Sequence, residues 1–474
     1  DMVELSLRLE DLEGVGRSHY GGLREYFEHI AAQGVKNRWV GEMYLPWHRG
    51  VFTAQRRSKA LMRRAEFALH DAEALVARQP GKKDVLQQRL RELWRKLLIC
   101  QFHDVAGGVG IRRTHEEAEQ MLQQVVDGAW KITRDLRHAY YHMEDHDQDY
   151  VIYNSLPWER REWIMDEQGQ PRYVCAPADG AAPLTEIPQP QDARLTETAE
   201  GHLYLEIVVD ASGALIRLTD KESGQPLLRP GQRMNDWRLY KNVQPVYDAW
   251  ELDRGWETRC MEGCFTTEVT VESSGPACAA LRIVRSFGDS HAEQSLRLFA
   301  GNRRIDFVTK VDWQERHRML KVHFQSDILA EEAVHEIQFG YVRRPAHRST
   351  PYASDRYEVC NHRYSALCED NRGFAVLNDG SYGVSANRGE LALTLLRAPL
   401  VPDDTNNRGE HTLTYALYVF NTSLAQSDTV RQGYALNVPL VVEHGHCPQR
   451  VTGFRTQGTG VILESVKVPE DGRG

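Results

Sequence analysis

The run Gln101-Phe102-His103-Asp104, followed by Gly107-Gly108-Val109-Gly110, sets an imidazole and a carboxylate side by side at the end of an amphipathic segment. An imidazole nitrogen is a good ligand for zinc, and the pair reads as part of a metal site. The glycines let the backbone approach a ligand closely, because they tolerate φ angles closed to other residues. A lone His-Asp pair also serves as a helix-end hydrogen-bonding group, and zinc needs three or four ligands where this stretch offers one clear one. Asp355-Arg356-Tyr357-Glu358 and His362-Arg363 gather polar groups between apolar residues, as a loop reaching a cleft would, and His362 is the candidate binding group there. His142 and His146, beside aspartates in 143–149, read as a solvated linker rather than a metal cluster.

The elements that must position these residues are legible as periodicities. Asp1-Met2-Val3-Glu4-Leu5 reads as an amphipathic helix without a natural start, and Ser18 opens a second segment that ends at Gly34. A long basic helix runs from Thr53 to Val76 and stops at Pro80-Gly81. Asp84 can cap the next, where Leu86, Leu90, Leu93, Leu97 and Leu98 fall on one face. Thr114-His115-Glu116-Glu117 reads as a capping box for a third, carrying Met121, Leu122, Val125, Trp130, Ile132 and Leu136. Three such helices joined by short turns predict an antiparallel bundle. Beyond 143–149 come alternating segments such as 202–209 and 413–419, bounded by Gly, Asn, Asp or Pro. Many strands without interleaved helices predict a large antiparallel β-sandwich, so the fold class is α+β and multidomain.

With 58 basic against 67 acidic residues among 474, the net charge of −9 argues against a nucleic-acid backbone as partner. No apolar run approaches the roughly 20 residues that cross a bilayer, so no membrane partner is expected. The eight cysteines have no repeated short spacing, which argues against a zinc ribbon and a disulfide scaffold. Cys260 and Cys264 could share one strand face. Free thiols at this density fit a reducing, cytoplasmic setting.

Residues Gly41-Glu42-Met43-Tyr44-Leu45-Pro46-Trp47-His48-Arg49-Gly50 resemble the Gly-Glu-Leu-Tyr-Leu-x-x-His-Arg-Gly-Thr segment of bacterial α-mannosidases in glycoside hydrolase family 38. The family also has a Gln-x-His-Asp motif on a later helix, which Gln101 to Asp104 match. Val311-Asp312-Trp313-Gln314-Glu315-Arg316-His317, Phe374-Ala375-Val376-Leu377-Asn378-Asp379, and Gly409-Glu410-His411 leading into Thr414-Tyr415-Ala416-Leu417-Tyr418 look like its β-rich C-terminal region.

The resemblance implies a division into 1–38, the tail of a catalytic domain; 39–146, a three-helix middle domain; 147–196, a β-linker subdomain; and 197–474, a galactose-mutarotase-like sandwich. It implies zinc as cofactor, with His103 as a ligand, and a mannose-containing oligosaccharide as substrate. Asp104 would accept hydrogen bonds from sugar hydroxyls, His48 and Arg49 would border the sugar pocket, and Trp47 could stack on a sugar face. Arg49 could equally pair with a structural carboxylate.

The family's His-x-Asp-Pro motif and its nucleophilic aspartate have no counterpart here, so no catalytic residue is assigned and this chain is expected to be inactive alone. Residues 466–474 read as a hairpin turn whose second strand does not follow. Apolar positions in residues 1–40 suggest self-association as a homo-oligomer. The alternative from another class is a stand-alone carbohydrate-binding or scaffold protein.

Overall fold

In a computed structural model, the described residues are 2–34, 36–43, 47–80, 83–141, 149–190, 194–195, 200–201, 204–454 and 461–469. His142 and His146 lie outside them. The chain divides into two compact units, 1–45 and 46–474. The first holds α1 (Met2–Arg8) and α2 (Leu23–Ala32), neither of which buries a residue. The cap position of α2 is Gly22 rather than Ser18, whose hydroxyl instead donates to the Ser6 carbonyl.

The second unit begins with a 3-10 turn, Arg49–Phe52, then α3 (Arg56–Arg78), α4 (Asp84–Cys100), the short α5 (His103–Ala106) and α6 (Arg112–Tyr140). The three long helices pack on one another through a core that includes Leu69, Leu75, Leu97, Leu122, Val125 and Ala129, all fully buried. Leu98 does not join that face and is 58% exposed, because it follows Leu97 by a turn of roughly 100°.

Three expected helix starts shift. Thr53 caps the end of the 3-10 turn instead, its hydroxyl donating to the Gly50 carbonyl at 2.7 Å. The capping box at Thr114 does not form, since α6 already starts at Arg112. Glu116 and Glu117 instead accept from Arg112 and Arg113, each at 2.7 Å, one turn away. Asp84 is the first residue of α4 and makes no cap bond; the cap position is Lys83.

Two large antiparallel sheets follow. In one, Met234–Lys241 and Arg318–Gln325 pair near the middle; in the other, Arg304–Trp313 pairs with Gly409–Phe420. Their inner faces meet. Trp237 Nε1 donates to the Tyr415 hydroxyl at 2.9 Å, Asn235 Nδ2 to Gln294 Oε1 at 2.9 Å, and the Phe307 and Phe324 rings lie 6.3 Å apart. A smaller sheet sets Val441–His444 and Val451–Thr452 on either side of Tyr150–Asn154 and Gly180–Pro183, so residues after 440 return to the segment that follows the helices.

Cys260 and Cys264 share no strand: Cys260 forms an isolated bridge with Tyr240 and Cys264 sits in the turn before Thr266–Ser274. Residues 461–469 carry no regular structure, and Val468 packs on the helical core, while the rest of the expected hairpin turn, 470–474, lies outside the described residues. All eight cysteines are free thiols. Among the described residues no helix is long and apolar enough to cross a membrane.

Candidate functional site

The end of α4 delivers the His-Asp pair to solvent. Gln101 closes the helix, its Nε2 donating to Glu66 Oε1 on α3 at 2.6 Å, and the chain turns outward at Phe102 into α5. The side chains of His103 and Asp104 are 80% and 61% exposed, with His103 Nε2 3.5 Å from Asp104 Oδ1. The His103 ring lies 4.2 Å from that of Phe102. Both side chains are therefore free to meet a ligand.

What holds the pair is the glycine turn behind it. Gly108 has φ +76°, and a Cβ there would come within 3.0 Å of Ala54 Cβ and 3.1 Å of the Ala54 carbonyl oxygen. Only glycine reaches that conformation without strain while packing so closely. The Ala54 carbonyl also accepts from Lys59 Nζ at 2.6 Å; burial pulls that buried amine down to about 7. The turn carrying His103 is thereby locked onto the segment 51–54, which follows His48 and Arg49.

His48 sits in the left-handed region at φ 62°, unusual for a residue with a Cβ, and its amide donates to Glu251 Oε1 at 3.1 Å. Arg49 turns inward and is only 2% exposed, its positive charge acting on the Tyr357 hydroxyl. Burial nonetheless pushes that hydroxyl up to about 12, and it donates to the Leu252 carbonyl at 3.0 Å. Trp47 stays exposed.

His362 belongs to the β-rich part of the chain, between Val359–Cys360 and Tyr364–Cys368. It is half-buried, its ring edge-on to Tyr382 at 5.5 Å. Burial, then the charge of Arg63, lowers its pKa to about 4, so the ring is neutral. Arg356, Tyr357 and Glu358, expected in a loop facing a cleft, are buried. Glu358 accepts from Lys321 Nζ at 3.0 and 2.7 Å.

One residue the motifs did not single out is Glu66. Burial raises its pKa, while Arg63, the Gln101 amide and Arg363 oppose the rise. It thus stands between the end of α4 and the charged groups around His362. Its signal in the sequence was the first carboxylate of α3, three residues after Arg63 and following the basic residues Arg56, Arg57, Lys59, Arg63 and Arg64.

Comparison with known proteins decides the family. Residues 46–139 match the alpha mannosidase middle domain, and residues 201–405 match the glycosyl hydrolases family 38 C-terminal domain. The chain belongs to glycoside hydrolase family 38. It is 30% identical to alpha-mannosidase 2C1 of Homo sapiens over 494 residues, covering 99% of this chain and 47% of the relative. It is 27% identical to the alpha-mannosidase of Saccharomyces cerevisiae over 417 residues, 84% of this chain and 37% of the relative. The crystal structure of an alpha-mannosidase from Enterococcus faecalis superposes with a TM-score of 0.75 at 12% identity, covering 95% of this chain and 64% of that one. The shared architecture is therefore that of the family 38 middle and C-terminal regions, and the chain spans about half the length of the curated relatives it matches.

Proposed function

We propose that this family 38 chain is the middle and C-terminal part of a zinc-dependent retaining α-mannosidase that hydrolyses mannose-containing oligosaccharides, and that it does not turn over by itself. The observation that carries the reading is the exposed His103-Asp104 pair at the end of α4, within a family 38 middle domain. Among the described residues no group of three or more His, Cys, Asp or Glu side chains could hold a metal, so one imidazole and one carboxylate are an incomplete donor set. On this reading His103 supplies one donor, the others lying in the half of the relatives' length that this chain does not span. Zinc, when bound, supplies Lewis-acid polarisation of the sugar hydroxyls.

No catalytic step is derived through that partial set. The chain's own residues orient. Asp104 accepts hydrogen bonds from sugar hydroxyls, the turn around Gly108 fixes where His103 points, and His48 and His362 offer polar groups at the pocket rim. Buried Arg49 holds the 3-10 turn from inside rather than touching sugar. The two carboxyl groups of a retaining hydrolase, about 5 to 5.5 Å apart, belong to the rest of the enzyme. The thiols fit a cytoplasmic setting, and exposed Met2, Leu5, Leu7 and Phe27 in the first unit fit self-association, which sedimentation velocity over a wide concentration range tests.

The test uses an aryl α-mannoside with zinc supplied. This chain alone gives background turnover, and in the longer gene product containing it His103→Ala removes both activity and bound zinc. A His103→Ala protein that kept its zinc and its rate would overturn the assignment.

A further inference from the structure

A run of polar side chains joins the end of α4 to His362. Gln101 Nε2 donates to Glu66 Oε1 on α3 at 2.6 Å. One turn back on that helix, Arg63 is 3% exposed, and its charge acts on Glu66. Arg63 Nη1 donates to the Asn378 carbonyl at 3.0 Å and to Asn378 Oδ1 at 3.1 Å, and Asn378 Nδ2 donates in turn to the His362 carbonyl at 2.8 Å. The Arg63 guanidinium also lies over the Tyr382 ring at 4.6 Å, the ring that meets His362 edge-on. Arg63 and Glu66 themselves are opposite charges three positions apart on one helix, close enough to interact.

We propose that Glu66 is a positioning residue, a role that rests on reading His103 and Asp104 as part of the sugar site: it holds the Gln101 amide, and through it the turn presenting His103 and Asp104, in place relative to His362. Gln101 is the cap residue that closes α4, two positions before His103, so a side-chain bond there sets where the chain leaves the helix. α5 buries no residue, and only Val105 and Ala106 rest partly on the helical core. The direction of His103 therefore depends on what holds the two ends of α5: Gln101 before it and the glycine turn after it. A neutral acceptor would serve as a simple clip. A half-buried carboxylate loses hydration, and here cations on both sides offset that loss, Arg63 from the helices and Arg363 from beside His362. The Arg363 Nε already donates to Glu336 at 3.0 and 2.9 Å, so Arg363 acts on Glu66 through its charge.

The test is a double-substitution cycle between Glu66 and Gln101. In this chain the amides of Val105, Ala106 and Gly107, which donate to the Phe102 and His103 carbonyls, report on the turn by hydrogen exchange. Glu66→Ala and Gln101→Ala should each speed their exchange at least about threefold, and the double variant should be no faster than either. Glu66→Gln, which keeps an acceptor oxygen, should restore most of the protection and guards against loss through misfolding. In the longer gene product, Glu66→Ala should weaken zinc about tenfold in competition with a chelator, and lower kcat on an aryl α-mannoside about tenfold with KM within about twofold. Exchange unchanged by Glu66→Ala, additive effects of the two substitutions, or faster exchange with zinc affinity and kcat intact overturns the proposal. His103→Ala separates this from the site reading. Zinc and rate lost there, beside an unaffected Glu66→Ala, sink the positioning role alone; zinc and rate kept there sink the site reading and the role with it.

Discussion

The amide of Gly110 donates to Nε2 of His115 at 3.1 Å, so a buried histidine of α6 grips the far end of the turn that carries His103. Accepting at Nε2 requires the neutral ring with its proton on Nδ1. Burial, and then the nearby Lys59 charge, push the His115 pKa below its ordinary value, which favours that form. His115→Ala leaves the Gly110 amide without its acceptor, an expected loss of about 1–3 kcal/mol. Hydrogen exchange reads it directly: the Gly110 amide should lose protection, and protection unchanged from the parent would contradict the role.

Gly50 is locked on the other side of the same region. A Cβ there would lie 2.5 Å from the Glu251 carbonyl oxygen, 2.6 Å from that of Ala249 and 2.6 Å from Arg397 Nη1. Two of those atoms are backbone and cannot swing away. Gly50→Ala should therefore destabilise by about 1–3 kcal/mol, read as a lower thermal midpoint, and should displace His48 and Arg49 with it. A variant melting with the parent would show that the turn has slack.

The helices and the antiparallel sheets were legible because each leaves a period in one stretch of chain: Leu90, Leu93 and Leu97 recur at helical spacing and all are buried. The exposure of His103 was legible for the same reason, since the apolar face ends just before it. Arg49 was not. Nothing local distinguishes an arginine at a pocket rim from one turned inward, and its burial beside Tyr357 depends on contacts some three hundred residues apart in the chain. Trp130 misled the pattern for the opposite reason: an indole at near-core spacing is normally core, yet this one is 45% exposed and lines a cavity with residues as distant in the chain as Asn437 and Val441.

The ion pair between Lys321 and Glu358 is wholly buried, with Thr394 Oγ1 2.7 Å from the ammonium and the Trp256 ring centroid 4.7 Å away. Removing one member of a buried pair strands the other's charge. Lys321→Met should therefore lose about 3–5 kcal/mol of unfolding free energy in urea titration. A loss below about 1 kcal/mol would mean that Glu358 takes up a proton or finds another cation at little cost.

Acid sensitivity should centre on His411. It is buried, donates from Nε2 to the Asn407 carbonyl at 2.6 Å, and burial lowers its pKa to about 4. The Asn407 bond opposes that shift, and the charges of Arg56 and Arg57 reinforce it. In the unfolded chain the ring titrates near its ordinary value of about 6.5. Below that pH the unfolded state takes up a proton that the folded state refuses, so the His411 contribution is complete above about 6.5 and is lost as pH falls toward about 4. At roughly 1.4 kcal/mol per unit the total is on the order of 3 kcal/mol. His362, also lowered to about 4 but only half-buried, adds a smaller amount with the same sign. Unfolding free energies of the parent and of His411→Gln, measured between pH 7 and 4, should converge as the pH drops, and parallel curves would remove His411 from the account.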